Sequence, residues 1–373
     1  MSAPERVPVM AAVLNAAPGR LELEELLLDG VLEPDEVRVK VKACGLCHSD
    51  LHMLNGTLPT ALPTVPGHEI AGVVEAVGEN VRGLTVGARV VACLSMFCGT
   101  CPGCRAGDTW LCENRMGLGR DGRPRPRWVR ADGQVVGQLA NLGGLAEVVI
   151  VHRNALVEIP DGLPFDSAAL LGCAVITGVG SAVRGAKVRM GESVVVIGAG
   201  GVGLNVIQGA KIAGARRIIA VDTNRDKLEL ARGFGATDTV EATDDPVSAV
   251  LATFGAVDHA FDVVGHSDTV RMAVEMLRPG KTAWIVGIPP VGHELSLPGT
   301  SLVTSAKGVQ GLLMGANRFT EDIPVLADLY LQGRLLLDEL VSLRITLDEV
   351  NDGFDEMRAG SIARAVVRFG TDD

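Results

Sequence analysis

Ser193-Val-Val-Val-Ile197 runs directly into Gly198-Ala-Gly200-Gly201-Val202-Gly203, and this stretch decides how the chain is read. The first five residues have the apolar, β-branched texture of a strand buried on both faces. The glycines that follow let the backbone turn tightly, let it approach a pyrophosphate, and let the next helix pack close to the strand. A GxGxxG run alone also fits an ordinary tight turn. Here Asp222 ends the next strand, 19 residues after Gly203, where a carboxylate accepts from both ribose hydroxyls and repels the extra phosphate of NADP. The expected cofactor is therefore NAD. Two local alternatives stay open: Asp222 as a helix N-cap, a place that Thr223 or Asn224 could also fill, and Lys227 as either a ribose contact or an exposed helix lysine.

Outward from this turn, the C-terminal direction alternates. The pattern predicts a helix through Ala213, a strand at Arg217 to Val221, a helix at Asn224 to Phe234, strands at Ala256 to Val264, Thr282 to Ile288 and Val309 to Met314, and a helix at Ser267 to Leu277. Strand and helix in alternation imply a doubly wound parallel sheet. In the N-terminal direction the first 150 residues read instead as short strands separated by turns, beginning at Val7 to Leu14 and including Glu36 to Val41, Ile70 to Val77 and Ala88 to Ala92. The tail from Glu321 to Phe369 returns to helix and then strand.

Composition limits the function classes. A chain of 373 residues with 47% hydrophobic residues suits two globular domains. A net charge of −11 disfavours nucleic acid or an anionic membrane as partner. No window approaches the ~18 apolar residues of a membrane helix, and the start lacks the layout of a signal peptide. The expected protein is cytoplasmic, with a small-molecule partner. Eight cysteines in so long a chain point to metal or redox chemistry before a disulfide framework.

Four of them, Cys98, Cys101, Cys104 and Cys112, fall within 15 residues, among Gly99, Pro102, Gly103 and Gly107. Thiolates at this density satisfy a tetrahedral zinc and leave no position for substrate, so the site is read as structural; an iron–sulfur cluster takes the same donors. A second group is dispersed: Cys47-His48-Ser49-Asp50-Leu51-His52, then Gly67-His68-Glu69, then Cys173 just before the nucleotide-binding half. Taken singly, Cys173 reads more often as a small core residue, as Cys44 and Cys93 are read here, and the alternative for Asp50 and Glu69 is a surface carboxylate.

In this order, these motifs resemble the zinc-containing alcohol dehydrogenases of the medium-chain dehydrogenase/reductase superfamily over nearly the whole chain. The resemblance implies a GroES-like, β-rich, partly barrel-like catalytic domain (residues 1–175), a Rossmann doubly wound parallel sheet of six strands that binds NAD (176–313), and a return to the catalytic domain (314–373), with the reacting groups in the cleft between them. It implies two zinc ions per subunit. The catalytic one is held by Cys47, His68 and Cys173, a ligand set that belongs to this family, with water or the alcohol in fourth place. Asp50 and Glu69 then stand behind the metal, Asp50 orienting His68. Ser49 takes the alcohol proton and passes it through the nicotinamide ribose toward His52, which otherwise is an ordinary loop histidine. His48 and Arg364 fall where the family meets the pyrophosphate, and Thr177 and Val264 are weaker cofactor contacts. Leu94 and Leu145 stand at inner pocket positions where aromatic rings are frequent, and with 3% aromatics overall an aliphatic, roomy substrate pocket is expected.

The implied activity is reversible hydride transfer between an alcohol and NAD, in a homodimer. Two alternatives remain: a thiol-dependent formaldehyde dehydrogenase of the same architecture, and a non-catalytic, zinc-stabilised NAD-binding protein. A long connection between Cys112 and Gly144 carries Arg115, Arg120, Arg123, Arg125, Arg127 and Arg130. These arginines either recognise an anionic substrate or thiol adduct, or form a solvated charged loop.

Overall fold

The computed structural model describes residues 6–370 except 121 and 244. The chain divides into two compact units, Met1–Cys173 with Arg318–Asp373, and Ala174–Asn317.

The second unit is a six-stranded, wholly parallel sheet in the order Asp238–Glu241, Arg217–Asp222, Ser193–Ile197, Val257–Asp262, Leu277–Ile285 and Gly308–Gly311. Ser193–Ile197 is buried along its whole length, as its valines require. It pairs with Arg217–Asp222 on one side and Val257–Asp262 on the other, so the strand order reverses at the glycine-rich turn. Such a reversal leaves a crevice beyond the strand ends where open α/β sheets bind ligands. The strand Asp238–Glu241 and the helix Pro246–Phe254 lie in a stretch that sequence periodicity left unassigned, because every residue of that strand is only half-buried and carries no alternating pattern. No single helix among the described residues is long and apolar enough to cross a membrane.

The first unit is β-rich and has two parts. A closed barrel is formed by Arg6–Leu14, Leu21–Asp29, Trp128–Val129, Val135–Gln138 and Thr64–Val65. A second sheet carries Glu36–Gly45 at its centre, flanked by Glu69–Val77 and by Arg364–Arg368, which pairs in parallel with Val341–Ile345. The C-terminal segment thus joins this sheet directly, with Val366 opposite Gly45.

The arginine-rich connection departs from both sequence expectations. Residues 122–125 are exposed, as a solvated loop would be, but five of the six guanidinium groups are matched to carboxylates of Leu21–Asp29, of Glu36 and of Glu33 between them, which leaves them committed within the chain. Arg120 and Arg127 are each 4% exposed. Arg120 meets Asp29 at 2.5 Å and also Glu36, and Arg127 meets Glu36 at 3.0 Å. Arg125 meets Asp29 at 2.7 Å, Arg123 pairs with Glu33, and Arg130 lies 2.7 Å from Glu24. Arg115 donates to the carbonyls of Trp110 and Cys112 at 2.5 and 3.2 Å, bracing the four-cysteine loop. Between them Trp128 is fully buried, and Trp128–Val129 pairs with Leu27 and Leu28 in the barrel wall. Burying several charges together is tolerable only when each has its partner, and that is the arrangement here.

Candidate active site and metal centres

Cys47 follows the strand Glu36–Gly45 and begins the helix His48–Leu54, the elements that set its direction. Asp50, the third helical residue and completely buried, accepts from the Cys47 backbone N–H at 3.2 Å and so closes the helix start. Its other oxygen accepts from the Gly67 N–H at 3.1 Å and lies 3.2 Å from His68 Nδ1. One carboxylate therefore fixes the helix, the turn before Glu69 and the imidazole. Gly67 has φ +89°, and a Cβ there would meet the Leu145 nitrogen at 2.7 Å and the Cys44 sulfur at 2.9 Å. A side chain at this position would clash with Leu145 and Cys44 in the turn that leads into His68.

Cys47, the adjacent His68 and Glu69, and Cys173, from three separate segments, bring one donor atom each within 4.8 Å of one another, all buried. With Nδ1 facing Asp50, His68 Nε2 is buried with no hydrogen-bond partner, as are both Glu69 carboxylate oxygens. Buried polar atoms are normally satisfied, so orphaned donors converging from an imidazole, two thiols and a carboxylate are the chemistry of a metal centre. Arg364, 2% exposed, stands behind them with its guanidinium 3.7 Å from Glu69. Burial raises the Glu69 carboxyl to about 7 against the pull of Arg364. The Cys47 thiol is pushed well below its usual range, first by the hydrogen bond from Cys173 and then by the nearby His68 charge.

Cys98, Cys101, Cys104 and Cys112 form the second converging group, again within 4.8 Å. All eight cysteines are free. Here the thiols receive N–H donors: Cys98 N–H to the Cys112 sulfur at 3.2 Å, and Thr100 and Cys101 N–H to the Cys98 sulfur at 3.4 and 3.3 Å. The Thr100 hydroxyl and backbone donors bring the Cys98 thiol down to about 5, while burial raises Cys104 to about 12. Four sulfurs converging in one loop, with N–H donors aimed at Cys98 and Cys112, fit a closed four-sulfur cation site.

The other residues named from the sequence take these places. Ser49 is half-buried with its hydroxyl 3.8 Å from the Cys47 sulfur, and half-buried His52 has Nδ1 3.2 Å from the Thr57 hydroxyl. No direct hydrogen bond joins Ser49 to His52 among the described residues. His48 is exposed. Leu145 is fully buried in the barrel core and Leu94 is packed half-buried against it.

In the nucleotide unit, Gly198 has φ +98°, and a Cβ on Gly203 would lie 1.8 Å from the Gly198 carbonyl, so strand and helix can pack this closely only through glycine. A Cβ on Gly200 would meet open space, and Gly201 and half-buried Val202 open the helix Gly201–Ile212. Asp222 is not the helix cap. Asn224 is, accepting from the Asp226 and Lys227 N–H groups. Asp222 instead accepts from the Ala199 N–H at 2.7 Å, tying the strand end to the glycine turn. Thr177 is buried with its hydroxyl 3.5 Å from the Met314 sulfur, Lys227 is half-buried, and Val264 is 51% exposed.

Residues 33–161 match the alcohol dehydrogenase GroES-like domain and residues 201–330 the zinc-binding dehydrogenase family. A protein of Amycolatopsis methanolica named NDMA-dependent alcohol dehydrogenase is 38% identical over 97% of this chain and 99% of its own. The structure of benzyl alcohol dehydrogenase from Acinetobacter calcoaceticus superposes with a TM-score of 0.90 at 32% identity, over 98% of this chain and 100% of that one. That of a zinc-binding dehydrogenase from Sinorhizobium meliloti bound to NADP gives 0.80 at 28%, over 97% and 100%. With the metal donors gathered and the glycine turn formed, the chain belongs to the zinc-type alcohol dehydrogenases of the medium-chain dehydrogenase/reductase superfamily and is an oxidoreductase of that class.

Proposed function

We propose that this protein interconverts an alcohol and its aldehyde or ketone with NAD as hydride acceptor and two zinc ions per chain. The observation that carries this reading is the buried convergence of Cys47, His68 and Cys173, with His68 Nε2 unpartnered and Asp50 fixing the opposite ring nitrogen. Cys47, His68 and Cys173 would hold the catalytic zinc, and Cys98, Cys101, Cys104 and Cys112 the structural one. When bound, zinc supplies the Lewis acidity that lowers an alcohol's pKa and the nicotinamide supplies the hydride acceptor.

The chain's own residues do the rest. Asp50 holds the His68 tautomer that leaves Nε2 as a donor of electrons. Ser49, whose hydroxyl lies beside Cys47, accepts the substrate's proton. Its release toward His52 requires a bridging group, since the two side chains do not touch. Asp222 accepts from the ribose hydroxyls at the end of its strand, and Gly200 leaves room for the pyrophosphate. The aliphatic, half-buried Leu94 favours bulky or medium-chain primary alcohols, whereas Leu145, sealed in the barrel core, would not line the pocket. The benzyl alcohol activity named for one structural relative is compatible with such a substrate.

A formaldehyde dehydrogenase that needs a thiol carrier is the weaker reading, because the arginines that would hold the carrier's carboxylates are already paired with Asp29, Glu36, Glu33 and Glu24. The test is metal content per chain alongside turnover of short, long, branched and aromatic alcohols, with NAD and separately with NDMA as acceptor. Two zinc ions with NADH formation is the expected result. Turnover only when NDMA is supplied overturns free NAD as acceptor. One zinc and no turnover leaves a zinc-stabilised NAD-binding protein.

A further inference from the structure

The first unit carries a cavity of about 650 Å³ that none of the metal-cluster residues lines. Its charged lining is Lys42, Arg89, Arg344 and Arg368 against two carboxylates, Asp166 and Asp338. Both carboxylates are already committed. Asp338 accepts from the Ser167 hydroxyl at 2.6 Å and from the Tyr330 hydroxyl at 3.0 Å. Asp166, 4% exposed, accepts on a single oxygen from Arg344 Nε at 2.6 Å and Arg368 Nη2 at 2.5 Å. Burial raises this carboxyl, but the two guanidinium groups outweigh burial and keep it below its usual range, hence ionised.

The cations are not exhausted by these contacts. Arg344 and Arg368 each give Asp166 one donor group, and their side chains stay 40% and 44% exposed. Arg89 lies 3.8 Å over the Phe165 ring, donates to the Leu163 carbonyl, and has only a long contact of 3.9 Å from Nε to the fully exposed Asp161, with no hydrogen bond at that nitrogen. Lys42 has no salt-bridge partner among the described residues. Surplus donors therefore enter one cavity from the strands Glu36–Gly45, Arg89–Ala92, Val341–Ile345 and Arg364–Arg368, beside the apolar walls of Phe165 and Phe369.

We propose that this cavity is a binding site for a phosphate group, as inorganic phosphate or a phosphomonoester. A carboxylate offers two coplanar oxygens and saturates one guanidinium edge, whereas a tetrahedral dianion presents oxygens in three directions, matching donors that converge from separate strands. Two of these strands also lead to the metal cluster: Lys42 lies on the strand that continues to Cys47, and Arg368 on the strand that begins with Arg364. The inference does not depend on the cofactor or the substrate proposed above.

The test is calorimetric titration of the zinc-loaded full chain with inorganic phosphate and with phenyl phosphate, at ionic strength held constant with chloride. We compare wild type with Lys42→Ala, which breaks no ion pair, and Arg344→Gln. The expected result is one saturable site per chain, weakened about tenfold or more in each variant, consistent with loss of a charge-assisted contact. Tighter binding of phenyl phosphate assigns the site to an organic phosphomonoester using the Phe165 wall, and equal affinity assigns it to free phosphate. Absence of saturable binding overturns the proposal. So does binding that Lys42→Ala leaves unchanged, which would put the anion elsewhere, for instance at the Gly198–Gly203 turn.

Discussion

The two metal-donor clusters of this chain are built in opposite ways. Cys98, Cys101, Cys104 and Cys112 come from one loop, two of them partly exposed, and the thiols are served by backbone N–H groups from that same loop. Cys47, His68 with Glu69, and Cys173 come from three segments and are buried, with two carboxylate oxygens and an imidazole nitrogen that have no hydrogen-bond partner. Closing a short loop costs little chain entropy, so a cation can organise the first cluster almost alone. The second exists only after the sheet has brought Gly45 opposite both Glu69 and Val366. A local cluster should therefore report on stability, and a remote one on chemistry.

The largest expected effect follows from that division. Cys47→Ser or His68→Ala should lower turnover by about 10³-fold or more, the equivalent of several kcal/mol of lost Lewis-acid stabilisation, while the melting temperature stays within a few degrees. A parallel collapse of thermal stability would erase the contrast. Cys101→Ser should do the reverse, losing one zinc per chain by atomic absorption and lowering the melting temperature by roughly 10 °C. A folded Cys101 variant with full zinc content would remove the structural role from this loop.

The arginine clasp sharpens the comparison, since it braces the local cluster through Arg115. Arg120→Leu leaves Asp29 and Glu36 buried and short of a partner, at a cost of about 3–5 kcal/mol, with KM for every alcohol unchanged. The sign of its pH dependence follows from Glu36. Burial raises that carboxyl, but Arg120 and Arg127 together hold it below its ordinary 4.5 when folded. This stabilisation is complete above 4.5 and is lost as pH falls through the lower folded value. The variant lacks the Arg120 share of it and keeps that of Arg127, so denaturant unfolding should show the gap between wild type and Arg120→Leu widest at neutral pH and narrowing in acid. An altered KM with unaltered stability would return the arginines to substrate recognition.

Smaller effects come from supporting residues. Asp50→Asn should weaken zinc at the buried cluster by about 10–100-fold in competition with a chelator, leaving the four-cysteine zinc in place. Asp222→Ala should shift the NAD to NADP preference by roughly tenfold, about 1.4 kcal/mol, and an unchanged ratio would take Asp222 out of ribose recognition.

Much of this was legible in the sequence because the signals are local. Four thiols in 15 residues and a valine strand ending in GxGxxG need no tertiary knowledge. The helix His48–Leu54 was harder to see: its seven residues include His48, Ser49, Asp50 and His52, and its start is closed by Asp50 reaching back to Cys47 rather than by a common capping residue. The arginine stretch was misread for a related reason. Its partners Glu24, Asp29, Glu33 and Glu36 lie 84 to 106 residues away, and charge density in a sequence does not tell a solvated cation from a paired one.

By itself the sequence determined the residue types and the order of the motifs, hence the family, the parallel nucleotide sheet and the four-thiol loop, because each depends on neighbours within a strand or a turn. Only the tertiary structure decided that Asp50 serves Cys47, Gly67 and His68 together, that Arg364 faces Glu69, that Asp222 ties into the glycine turn, and that the arginines clasp the barrel. These depend on register between distant strands, where a shift of one residue turns every side chain to the other face.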